Sequence, residues 1–296
     1  MCYIVRDFVR NGKNCMSENK TTINWFPGHM AKANRQMEEQ IKLVDIVIEL
    51  RDARAPLASF NPTFDKLINQ KPRLIILNKA DLADENENSK WLNYFKDSNT
   101  LLVNSTHDNL KVIVVNKVKD ILRDKLEKAK AKGIRKKVLR AMVIGIPNVG
   151  KSTFINNIVK KRVAKTENRP GVTKSLTWIN INEDLMLLDT PGVLWPKFEN
   201  QEQAKILALL GSINDDILDK EDLVEFGLRY IVSQYPGNLN TRYGVDEKSL
   251  DLIDAIGKAM GWLKSGSEVD RNKSYQLILK DIRLNNIGRM TFEKCL

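Results

Sequence analysis

The stretch "GIPNVGKST", residues 145–153, decides the fold class of this chain. It fits the pattern G-x-x-x-x-G-K-[ST], in which a glycine-rich turn directs backbone N–H groups at phosphate oxygens. A strand-like run, "AMVIG" (141–145), precedes it, and the helix-like run "TFINNIVK" (153–160) follows it. The positive N-terminal end of such a helix favours an anion. The sequence therefore predicts the phosphate loop of an NTPase, and a G-x-G-x-x-G dinucleotide fold is excluded here.

Apolar runs typical of strands recur on both sides of this loop. They cover residues 43–50, 73–78, 100–105, 141–145, 176–181 and 185–190. Several are continuous rather than alternating, which is typical of parallel strands covered on both faces. Helix-like segments separate most of them, so we predict an α/β fold with a mainly parallel sheet. The last two runs are separated by a few residues that include "NED", which predicts a hairpin.

Beyond about residue 198 the apolar residues adopt helical spacing. Four segments show it, at 201–213, 219–235, 247–263 and 274–284, with Asp219 and either Ser267 or Asp270 as candidate caps. We interpret residues 199–296 as a separate all-helical domain.

The formal charge of +11 is unevenly distributed along the chain. Residues 111–140 carry 12 Lys/Arg against 3 Asp/Glu, and residues 160–174 carry 6 against 1. Clustered basic charge favours an acidic polymer such as nucleic acid as partner, and a solvated basic helix without a partner is the alternative. Residues 200–296 hold 13 basic and 15 acidic residues, and only 270–296 is positive, with 6 against 3. Here Arg271, Lys273, Lys280, Arg283 and Arg289 can form one basic face.

The ends of the chain contain no targeting or spanning segment that the sequence identifies. Residues 1–22 are interpreted as a tail, or as a misread start with Met16 as the first residue. No run of 18 apolar residues exists, so we expect no membrane span. Cys2, Cys15 and Cys295 lack ligand spacing, which favours a reducing compartment and a cytoplasmic location.

The tetrapeptide "NKAD", residues 78–81, selects the base. The carboxylate of Asp81 can accept hydrogen bonds from N1–H and the exocyclic amine of guanine, whereas adenine would leave it unpaired. Asn78 is expected to tie this loop to the phosphate loop, and the stem of Lys79 to cover the base. Together with Lys151, which can reach the β/γ-phosphates, the set predicts GTP or GDP as the ligand.

Further candidate residues complete this site. "DTPG" (189–192) offers Asp189 for Mg²⁺ and the N–H of Gly192 for the γ-phosphate, while Ser152 and Thr173 complete the Mg²⁺ ligands. Asn104 and Ser105, in "VNST", can flank the guanine O6 through backbone N–H groups. The nucleotide-binding prediction comprises Asn78, Lys79, Ala80, Asp81, Asn104, Ser105, Asn148, Val149, Gly150, Lys151, Ser152, Thr153, Thr173 and Gly192.

These elements occur in an unusual order. An ordinary GTPase runs from the phosphate loop through the switch threonine and DxxG to NKxD and the serine loop. In this chain NKAD and NST come first, and the phosphate loop, Thr173 and DTPG follow. The order indicates a circular permutation, which is tolerated because domain termini usually lie close together. The basic segment near 119–140 is then the helix and connector that joins the former ends.

On "NWFPGHMAKA" (24–33), "DARAP" (52–56), NKAD, "GIPNVGKSTFIN", "RPGVTKS" and "DTPGVLWPK", the chain resembles the circularly permuted GTPases that assist ribosome assembly. The resemblance covers roughly residues 22–296. It implies GTP hydrolysis coupled to maturation of the large ribosomal subunit and a C-terminal helical domain that contacts ribosomal RNA. It divides the chain into a tail (1–22), a permuted GTPase domain (23–198) and a helical domain (199–296). We expect a monomer that hydrolyses GTP with Mg²⁺, is stimulated by the ribosomal particle, and is released after hydrolysis. A GTP-dependent RNA-binding or signalling module with little turnover is the alternative.

The residue after DTPG, Val193, cannot orient water as the glutamine of small GTPases does. The resemblance makes His29 the candidate for that task, together with Lys151 and Gly192 at the phosphates; a structural role for His29 remains open. In related GTPases an asparagine three positions before the lysine helps to ligate a monovalent cation. Asn148 holds that position, so K⁺ is a second candidate ion, and an asparagine that only shapes the turn is the alternative.

Overall fold

The computed structural model describes residues 23, 25–134, 136–160 and 176–295. Six strands form one sheet in the order β3-β2-β1-β4-β6-β5. They are β1 (Ile46–Asp52), β2 (Arg73–Asn78), β3 (Thr100–Leu102), β4 (Leu139–Gly145), β5 (Thr177–Asn180) and β6 (Leu185–Asp189). Every neighbouring pair is parallel except β5 and β6. The predicted mainly parallel sheet and the hairpin across residues 182–184 are both confirmed.

Helices connect these strands and then form the whole C-terminal third. α1 (Gly28–Gln40) precedes β1, and those between the strands are α2 (Thr63–Ile68), α3 (Glu85–Tyr94), α4 (Leu110–Ile121), α5 (Arg123–Ala131) and α6 (Lys151–Val159). Those after the sheet are α7 (Gln201–Leu209), α8 (Lys220–Gln234), α9 (Asn238–Tyr243), α10 (Leu252–Ala259) and α11 (Arg271–Leu284). No helix of the described residues is long and apolar enough to traverse a bilayer.

The strand register brings the predicted motifs to one edge of the sheet. Asp52 of β1 lies opposite Asn78 of β2, and Leu50 of β1 lies opposite Gly145 of β4. On the other side of β4, Val143 lies opposite Asp189. Parallel strands end together, and open α/β sheets bind ligands beyond the carboxyl ends of their strands. The permuted chain therefore brings the base-side and phosphate-side motifs together at this edge.

Burial explains why the strands contain continuous apolar runs. Every residue of β1 is buried, because helices cover both faces of the sheet. The same apolar core includes Met30 of α1, Phe154 of α6, Leu207 of α7 and Ile278 of α11. The C-terminal helices thus pack onto the core of the sheet, and the domain boundary at 198/199 stays a prediction.

Two of the predicted helix caps agree with the structure, whereas α9 was not predicted and α10 is shorter than expected. Asp219 accepts hydrogen bonds from the N–H groups of Glu221 and Asp222, and Asp270 accepts one from Lys273. Asp270, rather than Ser267, is therefore the cap of α11. The basic segment near 119–140 contains the end of α4, all of α5 and a connector to β4, as expected for the junction of a permuted domain.

The predicted basic face of residues 271–289 is not available as a whole. Arg271 pairs with three carboxylates, those of Glu221, Asp251 and Asp254. Arg283 pairs with Asp215 and also donates to the carbonyl groups of Leu209 and Ala208. These arginines bind neighbouring helices and loops of the same chain. These two members of the predicted face are therefore engaged within the chain, because long-range ion pairing cannot be deduced from helical spacing.

Candidate functional site

The phosphate loop begins at the end of β4 and ends at the first residue of α6. Gly150 has φ +93°, and a side-chain Cβ there would lie 2.4 Å from Nδ2 of Asn78. Only glycine satisfies both the left-handed backbone and this close approach. The free N–H groups at the start of α6 then face the space above the loop, which is the arrangement that binds phosphate.

Lys151 and Asp189 are both buried beside this loop. The Nζ of Lys151 donates to the carbonyl oxygens of Gly145 (3.1 Å) and Ile146 (3.0 Å). Burial lowers the pKa of Lys151 to about 8, an effect that the nearby Asp189 opposes. Burial likewise raises the pKa of Asp189 to about 6, opposed by Lys151. Burial therefore disfavours the charged form of both side chains. A bound phosphate would stabilise the charge of Lys151, and a bound cation would stabilise that of Asp189.

The donor chemistry at Asp189 fits Mg²⁺. Its Oδ1 is buried without a hydrogen-bond partner among the described residues. Such an oxygen is a suitable ligand for a hard divalent cation. Ser152, in the first turn of α6, can add its hydroxyl group. Thr173, the other predicted ligand, lies outside the described residues.

Gly192 lies directly against the phosphate loop. A Cβ on Gly192 would lie 2.8 Å from the Cα of Pro147 and 2.9 Å from the Nζ of Lys151. The next residue, Val193, is fully buried. The structure therefore places Gly192 where the sequence predicts a phosphate contact, and it turns Val193 into the core, away from any role in orienting water.

Asn78 connects the two halves of the site. Its Nδ2 donates to the carbonyl of Val149 in the phosphate loop (2.8 Å). Its Oδ1 accepts hydrogen bonds from the backbone N–H (3.2 Å) and the hydroxyl (2.7 Å) of Ser105. One buried amide thus joins NKAD, the phosphate loop and the serine loop, as the sequence predicts for Asn78.

Lys79 and Asp81, the other two base-side residues of NKAD, point in different directions. Lys79 has φ +61°, and its Nζ donates to the carbonyl of Asn148 (2.6 Å) and to Oδ2 of Asp52 (2.8 Å). Asp81 is exposed at the end of the loop. The stem of Lys79 therefore runs toward the phosphate loop, and Asp81 projects toward solvent, where a base can reach it.

The serine loop is arranged mainly by its own hydrogen bonds. The N–H of Asn104 donates to Oδ2 of Asp108 (2.7 Å), while the N–H of Ser105 donates to Asn78. Both N–H groups that we expected to flank the guanine O6 are bonded to protein acceptors in this structure. Their role toward O6 stays a prediction, one that requires these bonds to rearrange.

Asn148 and His29 occupy two further positions around the phosphate loop. Asn148 has φ +59°, and its Nδ2 donates to the carbonyl of Gly211 beyond α7. His29 is exposed in the first turn of α1. The adjacent Met30 is buried, and its Sδ accepts a hydrogen bond from the N–H of Leu194 (3.4 Å). The start of α1 is thereby fixed against the chain that follows DTPG, and His29 is the exposed residue just before this contact.

Comparisons with known proteins agree with this geometry. A family model described as "50S ribosome-binding GTPase" matches residues 140–229. Ribosome biogenesis GTPase A of Bacillus cereus is 46% identical over 277 residues, covering 92% of this chain and 93% of that protein. The chain belongs to the ribosome biogenesis GTPase A family. The protein of that name from Thermotoga maritima is 28% identical over 272 residues.

A solved structure carries the same fold. GNP-bound YlqF from T. maritima superimposes with a TM-score of 0.66 at 25% identity, covering 89% of this chain and 98% of that one. This confirms the predicted circularly permuted GTPase fold, and the relatives confirm that the chain is a GTPase.

Beside the motifs of the ribosome biogenesis GTPase A family lies a residue that we had not assigned, Asp52 in "DARAP". Its carboxylate pairs with Arg54 (2.9 Å) and with Lys79 (2.8 Å). Although burial alone would raise it, these two cations hold the pKa of Asp52 well below its ordinary value. Asp52 therefore fixes the lysine of NKAD, and its position at the carboxyl end of a strand was the signal that could have identified it.

The residues 289–295, here called the C-terminal segment, pack against the base side of the site. The guanidinium of Arg289 donates to the carbonyls of Ala83 (2.8 Å) and Ala80 (3.2 Å). The N–H of Asp84 donates to Oγ1 of Thr291 (3.0 Å). The segment thus supports the loop that carries Asp81. No local pattern predicts this, because the contacts join residues about two hundred positions apart.

Glu293, in the C-terminal segment, predicts a pH dependence of stability. Its two oxygens accept hydrogen bonds from the N–H groups of Leu57 (2.7 Å) and Ala58 (2.8 Å). Burial nevertheless raises the pKa of Glu293 to about 7, from 4.5. Between those values the folded chain holds a proton that the unfolded chain releases, so stability falls as pH rises through this window and its contribution is constant above it.

We therefore expect Glu293→Gln to remove the part of the pH dependence of stability that arises from Glu293. In urea unfolding at pH 5.5 and pH 8, the free energy of unfolding of the wild type should fall more between the two values than that of the variant. Because each protein serves as its own reference, the loss of stability that the substitution causes at every pH cancels. An identical pH difference in both proteins would contradict the raised pKa.

Proposed function

We propose that this chain is a GTP-hydrolysing assembly factor. It binds the immature large ribosomal subunit, in the cytoplasm and as a monomer, and couples GTP hydrolysis to maturation of the subunit and to its own release. The observation that carries the proposal is that both halves of the nucleotide site contact the C-terminal helical region. Asn148 of the phosphate loop bonds Gly211, and Arg289 bonds Ala80 of NKAD.

These contacts supply a physical route from nucleotide to particle. DTPG ends at residue 192, and α7 begins at Gln201. Between them Trp195 and Phe198 are buried and in ring contact, with centroids 4.6 Å apart. A γ-phosphate that shifts Gly192 would therefore move a segment packed into the core ahead of the helical region. Order changes of this kind at the γ-phosphate are the usual switch of GTPases.

Ribosome co-sedimentation tests the proposal. Purified protein with a non-hydrolysable GTP analogue should pellet with precursors of the large subunit more strongly than protein with GDP. Mature small subunits serve as the control particle. Equal pelleting with both nucleotides would count against coupling, and no pelleting with either would end the proposal.

The alternative is a GTP-dependent RNA-binding or signalling module with little turnover, and the observation that favours it is the position of Val193. Because Val193 is buried, it cannot align the attacking water. We therefore expect slow intrinsic hydrolysis and stimulation by the particle. Hydrolysis that stays equally slow with saturating precursor particles would favour the alternative.

His29 is proposed as the group that orients or activates water. His29→Ala should lower turnover by about 10²-fold, the lower end of what a general base supplies, with GTP affinity nearly unchanged. His107→Ala is the matched control, since the second histidine of the chain lies on the base side and should leave turnover unaltered. Steady-state hydrolysis and GTP titration of both variants give the answer, and wild-type turnover in His29→Ala would eliminate this role.

The ions of the site are proposed as Mg²⁺ and K⁺. Asp189, Ser152 and Thr173 would hold Mg²⁺, whose charge offsets that of the phosphates when it is bound. Asn148, three positions before Lys151, would help to hold K⁺ through its amide oxygen. We expect faster turnover in K⁺ than in Na⁺ buffer of equal ionic strength. Equal rates would leave Asn148 with a role in shaping the turn only.

A further inference from the structure

A second cavity lies at the edge of the sheet opposite the nucleotide site. Its volume is about 520 Å³, and its lining includes Asp45 and Pro72, which immediately precede β1 and β2. The base loop leaves the opposite, carboxyl end of β2 and the phosphate loop leaves that of β4, each about 20 Å from this edge at the usual rise per residue. The cavity is therefore separate from the GTP site, and its size is that of a small-ligand pocket.

Five lysines and two carboxylates, those of Asp45 and Asp124, line this cavity, so its net charge is positive. Lys128 lies in the last turn of α5, Lys132 caps the C-terminal end of that helix four residues later, and Lys137 follows in the connector to β4. None of these three forms an ion pair or a side-chain hydrogen bond within the described ranges of the chain. Two other lysines of the lining are engaged, Lys125 with Asp45 and Lys71 with the carbonyl of Val44.

The floor of the cavity is aliphatic. Ile121, Leu122 and Ala129 contribute to it, and Ile134 lies beside the three lysines with 47% of its surface exposed. A simple anion would need only the lysines and would not use the apolar floor. A ligand that uses both must carry phosphate for the ammonium groups and a flat, weakly polar part for the floor. A nucleotide has both parts.

The ion pairs of the C-terminal arginines support a nucleotide as the ligand of this cavity. Arg271 and Arg283 are held by carboxylates of their own chain, whereas Lys128, Lys132 and Lys137 are available. Lys128, Lys132 and Lys137 therefore offer positive charge for external phosphates at the end of α5 and in the connector to β4. Unpaired nucleotides are the part of RNA whose bases can leave the stack and enter a pocket.

We propose that this cavity binds an unpaired nucleotide of an RNA chain, with its phosphates on Lys128, Lys132 and Lys137 and its base or ribose on the aliphatic floor. The inference rests on the proposed function, because it supplies the assembly factor with an RNA contact on the GTPase domain.

Salt-dependent RNA binding tests the cavity. The probe is a fluorescein-labelled, unpaired 12-nucleotide RNA, measured by anisotropy with the full chain saturated with GDP. Each single-strand phosphate contact contributes about 0.7 to the slope of log affinity against log salt. Lys128→Gln/Lys132→Gln should therefore reduce that slope by about 1.4 and the affinity at 0.1 M salt by about 25-fold.

The matched control is Lys117→Gln/Lys130→Gln. It removes the same charge from α4 and α5, and neither residue lines the cavity. We expect the control to lose less than about threefold in affinity, because long-range charge is screened over about 10 Å at this salt. Equal losses in both pairs would show a diffuse basic surface and overturn the cavity.

Two further arms separate the remaining outcomes. Ile134→Ser should weaken the unpaired RNA and leave a duplex of the same sequence unaffected; an equal effect on both overturns the role of the floor. AMP that displaces the RNA at micromolar concentration would identify a free nucleotide as the ligand and overturn the RNA assignment. All variants should bind GDP as the wild type does, which shows that they fold.

Subunit precursors distinguish this inference from the proposed function. If wild-type protein fails to pellet with them, the proposed function fails. If wild type pellets and the Lys128→Gln/Lys132→Gln variant pellets equally well across the salt range, only the cavity fails.

Discussion

Asp81→Asn should change the preferred nucleotide from GTP to xanthosine triphosphate. The substitution removes a carboxylate that can accept two charge-assisted hydrogen bonds from guanine and places an amide N–H₂ against the guanine amine. Bonds to charged groups contribute about 1.5–3 kcal/mol each, so GTP affinity should fall by roughly 10²–10⁴-fold. Xanthine carries a carbonyl where guanine carries that amine, and the new amide can donate to it.

The loop around Asp81 makes this a clean experiment. The N–H of Ala80 donates to Val103 (3.1 Å), and its carbonyl accepts hydrogen bonds from Asn88 (3.0 Å) and Arg289 (3.2 Å). The backbone is therefore fixed from both sides while the carboxylate of Asp81 is exposed. The substitution should alter base recognition without altering the fold, because the recognising group is preorganised by contacts that it does not make itself.

Competition against a fluorescent guanine nucleotide, with GTP and xanthosine triphosphate as competitors, measures the change. Asp97→Asn, another exposed carboxylate of the same half of the domain, is the control and should behave as the wild type. An unchanged ratio of the two affinities in Asp81→Asn would show that NKAD does not contact the base.

Lys151→Met should reduce hydrolysis by about 10²–10³-fold and leave the protein at least as stable. Removing one preorganised group that stabilises developing charge typically costs this factor in turnover. The stability expectation follows from burial. Only 7% of Lys151 is exposed, and burial lowers its pKa to about 8, so the charged form is disfavoured in the folded chain. Methionine has a similar length and needs no hydrogen bonds.

Single-turnover hydrolysis at saturating GTP and thermal unfolding without nucleotide measure the two effects. Lys117→Met removes a lysine of α4 away from the loop and is the control for loss of charge. We expect no loss of hydrolysis in the control. A large drop in the melting temperature of Lys151→Met would mean that the bonds from its Nζ to Gly145 and Ile146 stabilise the fold more than the buried charge destabilises it.

The sequence predicted the elements whose signals are local. β2 was predicted at its observed bounds, since a continuous apolar run fully specifies a buried strand. β1 begins three residues later than expected, because residues 41–43 continue from α1 as a short 3-10 turn. The contact of Asn78 with the phosphate loop was predicted correctly, because the position of this asparagine in the NKAD motif indicates it.

Residues with long-range partners were beyond local inference. Arg271 and Arg283 have the spacing of a basic face, yet carboxylates on other helices bind them. Nothing near Glu293 in the chain indicates that it binds the N–H groups of Leu57 and Ala58. Such partners are set by packing, which local spacing does not encode.

The sequence by itself determined the class of nucleotide, the permuted order and the family, because the chemistry of phosphate and guanine recognition resides in short motifs. Only the tertiary structure decided which basic side chains form ion pairs within the chain and which have none among the described residues. Ion pairing depends on distances between elements remote in sequence, so it separated the engaged Arg271 and Arg283 of α11 from Lys128, Lys132 and Lys137, which have no ion pair among the described residues. For the same reason it alone revealed that the C-terminal segment supports the guanine-recognition loop.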